Sequence, residues 1–260
     1  MLDLRKVLLL SSVFLLTTIS IFAQDEKNRK TDIYVTGGLE VILSGNTGLK
    51  IDGQELNNGV VRFAPVFNWQ SLVNFDFSPH FGLYTGLGVR NVGMIFDVPN
   101  EYKDPELSGP VRKKVRTYNL GIPVGFKVGN LHGMFVYGGY EFELPIQYKE
   151  KTFVSERKID KFSVWFSDRV DVQHSLMLGI QFPYGTNLKM KYYLNNYFSS
   201  SWDKDKGGMY GTIDPNEPGR RMSYNQMTGN VFYVSLNFSL FRNTKFYYSE
   251  YEKKHTFPES

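Results

Sequence analysis

Ten charged side chains are spaced so that they could meet. Glu40, Asp76, Glu141, Glu143 and Asp171 stand against Arg62, Arg90, Lys127, Lys189 and Lys191. Each sits in a stretch where apolar and polar residues alternate, and each falls on the polar phase. A sheet built from those stretches turns all ten to one side. Five acids facing five bases suit a polar conduit, a ligand site or a salt-bridged plug. The plug is the stronger expectation, because enclosed charges must pair to offset the cost of leaving water.

Other chemistry finds less support. Nucleophilic catalysis on a strand needs His and Ser on one face, hence two residues apart. His174 and Ser175 are adjacent and point to opposite faces, so they cannot share a proton without a bulge. His80, His132 and His255 lie elsewhere, so no catalytic residue is expected and the chain is not expected to be an enzyme. No metal site is expected either, since the four His are scattered, Cys is absent and no carboxylate spacing resembles a calcium loop. Gly37-Gly38 and the Gly86, Gly88 pair precede no helical pattern, which argues against a phosphate loop and against any bound cofactor. The net charge of +4 contains no Lys/Arg block, so no nucleic-acid partner is expected.

The elements that must position the charges read as long strands. Residues 60–93 form the clearest pair, with Val61, Phe63, Phe67, Trp69, Val73, Phe75 and Phe77 on one face and Arg62, Asn68, Gln70, Asn74 and Asp76 on the other. Ser78, Pro79 and His80 make the turn, and Phe81, Leu83, Leu87 and Val89 return opposite Gly82, Tyr84, Gly86, Gly88 and Arg90. A strand in a soluble sandwich usually runs about 5–6 residues. Here the alternation lasts long enough for the roughly 9–11 tilted residues that cross a bilayer. It recurs at 32–44, 115–128, 133–145, 170–182, 186–198 and 229–241, which predicts an all-β fold, an eight-stranded antiparallel transmembrane β-barrel. Eight strands leave an interior just wide enough for side chains. The slightly polar mean hydropathy agrees, because only alternate residues of such a strand face lipid.

The connections sort by length. Short turns at 78–80, 129–132 and 183–185 alternate with long polar loops at 45–59, 98–114, 147–168 and 199–226, the asymmetry of periplasmic turns and extracellular loops. Before the first strand, Asp3, Arg5 and Lys6 precede an apolar run at 7–16, which reads as a signal peptide over 1–23 cleaved near Ala23. The organisation expected is a signal peptide at 1–23, a periplasmic lead-in at 24–31, an outer-membrane β-barrel at 32–242 and a periplasmic tail at 243–260. With no Cys in the chain, neither an N-terminal lipid-modified Cys nor a disulfide can form.

The segments FGLYTGLGVRNVG (81–93), YNLGIPVGFKVG (118–129) and YGGYEFELP (137–145), with a leader ending in Ala-Gln, resemble the PorT-like outer-membrane β-barrel family of Bacteroidetes-type Gram-negative bacteria. The resemblance implies a barrel fold and an outer-membrane location. It implies no particular activity, because related small barrels differ widely in function. The family's terminal aromatic is displaced here, which leaves Phe241 at the end of the last strand and Phe246 in the tail as alternatives for the assembly signal.

The reading that follows is a small barrel with a side-chain-filled lumen, acting through extracellular loops in binding, adhesion or envelope organisation. Its expected partners are outer-membrane lipid and an extracellular or envelope protein. The loop at 199–226 exceeds the roughly 12–15 residues usual without a role. Candidate loop contacts are Trp165, Phe166, Trp202, Tyr210, Arg220, Arg221 and Tyr224, since aromatic and Arg side chains dominate binding hot spots. An irregular solvated loop is an equal reading of the same residues. Phe75, Phe77, Phe81, Phe126, Phe182 and Tyr184 near the short turns, and Trp165, Tyr197, Phe198 and Trp202 near the long loops, suggest two interfacial girdles. The alternative function is passage or binding of small hydrophobic molecules through the barrel, which would use Ile42, Val66, Leu72 and Met177 on the inward faces.

Overall fold

A computed structural model of the chain describes residues 31–56, 59–201, 209–217, 219–223 and 226–241. In chain order its strands are β1 (Asp32–Ile51), β2 (Gln54–Glu55), β3 (Arg62–Ala64), β4 (Trp69–Ser78), β5 (Phe81–Val98), β6 (Val111–Gly129), β7 (Phe135–Val154), β8 (Arg157–Trp165), β9 (Gln173–Gln181), β10 (Thr186–Tyr193) and β11 (Met227–Phe241). Eight of them, β1, β4, β5, β6, β7, β9, β10 and β11, form a ring of antiparallel neighbours, closed where β11 pairs β1 from Gly37↔Phe241 to Ile51↔Met227. Closure leaves no open edge, which is what lets a sheet stand in lipid. The fold is the eight-stranded antiparallel transmembrane barrel that the alternation predicts.

The two faces are cleanly divided. Leu39, Leu83, Ile122, Val124, Phe126, Leu178 and Met190 form part of an apolar outer band, while Glu40, Arg90, Asn119, Glu141 and Lys191 are buried inside. At the turn end, Phe77 stacks on Phe81 with ring centroids 6.2 Å apart, as an interfacial aromatic pair would.

Three features differ from the sequence expectation. The first strand of the 60–93 pair is broken. β3 pairs Leu43↔Phe63, β4 pairs Leu39↔Trp69, and residues 65–68 between them hold two residues more than a continuous ladder needs. Pro65 has no N–H to give the ladder, and Phe67 takes a left-handed φ of 61°. Two extra residues are one full strand period, so the faces keep their phase. Asn68 mends the gap: its Nδ2 donates to the carbonyls of Ala64 (2.7 Å) and Glu40 (3.1 Å), and its Oδ1 accepts the N–H of Asn91 (2.7 Å).

The second difference is the stretch at 147–168, expected as a charged loop. β7 continues to Val154, turns at Ser155 and Glu156, both at positive φ, and returns as β8 paired from Gln147↔Trp165 to Val154↔Arg157. A bulge between Pro145 and Gln147 shifts the phase of β7, and beyond it the outward face carries charged residues in water and loses its hydrophobic signature.

Third, the segment 209–223 does not extend into solvent. Met209 N–H donates to Met222 (2.8 Å) and Ile213 N–H to Tyr102 (2.8 Å), which pins the segment into the mouth at the long-loop end of the barrel. Met209 and Met222 are fully buried there with Ile42, Met94, Phe96, Tyr197, Phe198, Met227 and Val231. Tyr197 and Phe198, expected in a lipid-facing girdle, are therefore core residues.

Candidate functional site: a closed lumen and its rim

Facing strands aim six charges at one level of the lumen. β1 supplies Glu40, β5 Arg90, β7 Glu141 and Glu143, and β10 Lys189 and Lys191, each two-residue step keeping the same face. Arg90 is the hub. Its Nε donates to Glu40 (3.2 Å), one Nη to Glu141 and the other to Gln70 (3.1 Å), with Glu143 4.0 Å away. Lys191 donates to Glu141 (2.7 Å) and to Glu143, and Lys189 lies 2.8 Å from Glu40. Tyr193 (2.8 Å) and Asn119 (2.7 Å) donate to the remaining Glu143 oxygen, and Ser235 donates to Glu40. None of the six charged residues is more than 2% exposed. Three acids and three bases balance, so enclosure leaves no net charge unpaired.

Glycines make the room. A Cβ on Gly88 would stand 2.6 Å from an Arg90 Nη, and one on Gly121 would occupy the place of the Glu141 carboxylate. A second pair closes the short-turn end, where Lys127 pairs with Asp76 and also donates to Asn74 (3.0 Å), and Tyr34 donates to Asp76 (2.9 Å). Between the two networks lies a cavity of about 50 Å³, lined in part by Leu72, Tyr84, Met177 and Asn187. That is room for ordered water.

Eight of the ten charges expected in the lumen are in these two networks; Arg62 and Asp171 are not. Above Trp69 strand β4 has ended and β5 has no continuous ladder on that side, so Arg62 lies in the wall and donates to the Asn91 carbonyl (3.0 Å) and side-chain oxygen. Asp171 is exposed at the rim, ahead of β9, and accepts from Ser199 Oγ (2.8 Å). Sequence reasoning missed a third buried cluster, Lys113 with Glu150 (2.8 Å) and Thr152 (2.9 Å), and Glu150 with Arg169 (3.4 Å). Lys113 also donates to the Tyr210 carbonyl, which ties the tucked segment to β6. The inward phase at Lys113 could have revealed half of it, had β6 been carried back past residue 115; the bulge between Pro145 and Gln147 shifts the phase of β7, so period two by itself places Glu150 on the wrong face.

Of the residues offered for a hydrophobic passage, Ile42 belongs to the upper core and Leu72 and Met177 line the small cavity. Val66 is not inward. It lies in the break between β3 and β4 and is exposed. Among the candidate loop contacts, Trp165 and Phe166 are about two-thirds exposed at the end of β8. Tyr210 is half-buried beneath Arg221, whose guanidinium lies 5.0 Å from its ring, and Arg220 pairs with Glu217. Trp202, Tyr224 and Phe246 lie outside the described residues.

His174 sits on the lipid side, hydrogen-bonded through Nδ1 to the Tyr140 hydroxyl and edge-on to Phe142, while Ser175 Oγ points inward to the Glu141 carbonyl (3.2 Å). The two face opposite sides of the sheet. His174→Ala is expected to leave the lipid A and phospholipid pattern of the envelope unchanged. A changed pattern on mass-spectrometric lipid profiling would show a catalytic role. Among the described residues no group of three or more His, Asp or Glu is arranged to hold a metal ion.

The chain is similar in strand layout to several small barrels of known structure. Ail of Yersinia pestis, in complex with the heparin analogue sucrose octasulfate, is 9% identical with a TM-score of 0.34, over 79% of this chain and 99% of that one. OprG from Pseudomonas aeruginosa is 10% identical with a TM-score of 0.34, over 84% and 100%. CarO of Acinetobacter baumannii is 10% identical with a TM-score of 0.30, over 78% and 96%. No curated protein matches the sequence. The model of the outer membrane protein beta-barrel domain family matches residues 22–203, more than half of the chain. With the closed ring of eight strands and its apolar outer band, that match makes this chain a member of the outer membrane protein beta-barrel domain family.

Proposed function

We propose that the protein is an exported outer-membrane barrel with a closed lumen, acting through its extracellular face in binding, adhesion or envelope organisation. Within the barrel family the proposal is a PorT-like member, made with a signal peptide cleaved near Ala23 and ending in a periplasmic tail at 243–260. The observation that carries the reading is the closure: two ion networks and an apolar core, roofed by the segment 209–223, block the passage at successive levels. Such a barrel offers ligands its rim, where Trp165, Phe166 and Arg221 are exposed. Loops and rims held by a rigid scaffold are where binding residues concentrate.

Planar-bilayer recordings of purified protein test the closure. Negligible conductance is expected, and large stable steps would overturn the reading in favour of a pore. A photo-crosslinker placed at Trp165 or Arg221 on intact cells tests the binding face. Capture of a discrete envelope or extracellular component is expected there, and none from a crosslinker at His80 in the periplasmic turn. The same capture from both ends of the barrel would reject a rim-specific role.

A further inference from the structure

The outer wall carries cations whose arrangement is unfavourable without a partner. On the lipid-facing phase of β6, β7 and β8, Lys114 stands directly opposite Lys151, and Lys151 directly opposite Lys161. One step nearer the membrane, Arg116 stands opposite Lys149. Like charges directly opposite across a ladder destabilise a sheet. Among the described residues no acid pairs with any of these five. Two acids on the outer face, Asp97 and Glu156, are taken by Arg112 at 2.6 and 2.8 Å, and Asp160 stands opposite the buried Thr152. Arg62 reaches the same surface through the gap at the end of β4, and with Lys114, Arg116, Lys149 and Lys151 it lines a basin of about 300 Å³.

Height on the barrel identifies what could meet this charge. Below the Arg116–Lys149 row comes Tyr118 opposite Gln147 and Trp165, then Leu120 opposite Leu144, where the apolar band begins. Rows on one face are about 6.8 Å apart along a strand, which a barrel tilt of about 40° reduces to roughly 5 Å along the membrane normal. The two basic rows thus lie roughly 5 and 10 Å above the aromatic row, at headgroup depth. Partial burial first, and then the like charges of Arg116, Lys161 and Lys151, hold the Lys149 ammonium below the ordinary lysine range; Lys149 stands above the apolar band, outside the spanning part of β7. An anion supplied from the membrane would relieve both effects.

We infer that the β6–β7–β8 wall is a binding site for the phosphate groups of an outer-leaflet glycolipid, seated with its acyl chains along the apolar band and its phosphates on Lys114, Arg116, Lys149, Lys151 and Lys161. This rests on the membrane position of the barrel and not on the adhesion reading, so either can fail alone.

The test uses the full chain in neutral detergent micelles, titrated with diphosphorylated lipid A, with the same lipid dephosphorylated, and with a soluble sulfated polysaccharide, followed by intrinsic fluorescence. Diphosphorylated lipid A is expected to bind at least about tenfold more tightly than the dephosphorylated form, given the contribution of each basic side chain near an anionic surface. Changing Lys114, Lys151 and Lys161 together to Gln is expected to shrink that preference to about twofold or less. In lipid-free micelles the same variant is expected to unfold at the same temperature as the parent or higher, because it loses repulsion. Should the triple variant fail to assemble, Lys151→Gln alone carries the test, with an expected loss of preference of about threefold or more. Equal binding of the two lipid forms, or a preference unchanged in the variants, overturns the inference. So does tighter binding of the soluble polysaccharide than of lipid A, which would place the partner outside the membrane.

Discussion

Arg90→Leu is expected to destabilise the barrel by about 3–5 kcal/mol, the cost of leaving buried carboxylates without their partner. Arg90 touches Glu40 and Glu141 and lies within 4.0 Å of Glu143, and its removal leaves three acids facing Lys189 and Lys191 alone. Glu141 and Glu143 are fully buried at that level, so bulk water cannot take over the lost interactions. The urea midpoint of the shift from compact to slow migration on unboiled gels measures the change. Adding Glu141→Gln to Arg90→Leu restores the balance of charge and is expected to recover about half of the loss or more, as coupled neighbours do. An unchanged midpoint for Arg90→Leu, or a double variant weaker than the single, would mean that the network does not hold the barrel together.

Replacing residues 203–221 with a short Gly/Ser link is expected to leave a barrel that still closes, because the ring strands on either side of the loop supply their own backbone pairing. Its upper half should loosen. The replacement removes Met209, fully buried against Met222, and the Tyr210 carbonyl that accepts from Lys113. Losing one buried Met costs about 2–5 kcal/mol when the site cannot collapse. Lys113 keeps Glu150 and Thr152, which limits the electrostatic share. The expected result is compact migration on unboiled gels, a lower unfolding midpoint, and stronger binding of an apolar fluorescent dye at the uncovered core around Phe96 and Phe198. Parental stability and no dye binding would show that the segment is a solvated loop and not a roof.

The outer band was legible from sequence because lipid demands it on every spanning strand. Leu83, Leu120, Ile122, Leu178 and Met190 had to alternate with something that could be hidden, and the period of two then assigns Glu40, Arg90, Glu141, Glu143, Lys189 and Lys191 to the inside. Pairing among those six was legible too, since a narrow lumen has nowhere else to put opposite charges. The strand ends were not. Beyond the bilayer the outward phase is wet on one side: Arg112 and Lys114 continue the alternation of β6 without an apolar signature, and in β7 the bulge between Pro145 and Gln147 shifts the phase, so the outer ends of β6 and β7 and the whole of β8 read as loops.

What the sequence determined by itself, then, is whatever follows from one local rule applied strand by strand: the barrel, its faces and its charged interior. Tertiary structure alone decided the rest, because it depends on which strand stands beside which. Arg62 left the lumen since β4 stops short and β5 needs a donor at Asn91. Tyr197, Phe198, Met209 and Met222 went inside because the extended strands build an apolar mouth that only the following chain can fill. Lys114, Lys151 and Lys161 are up to 47 positions apart in the numbering, yet register sets them side by side, and no composition or spacing in the chain announces that row.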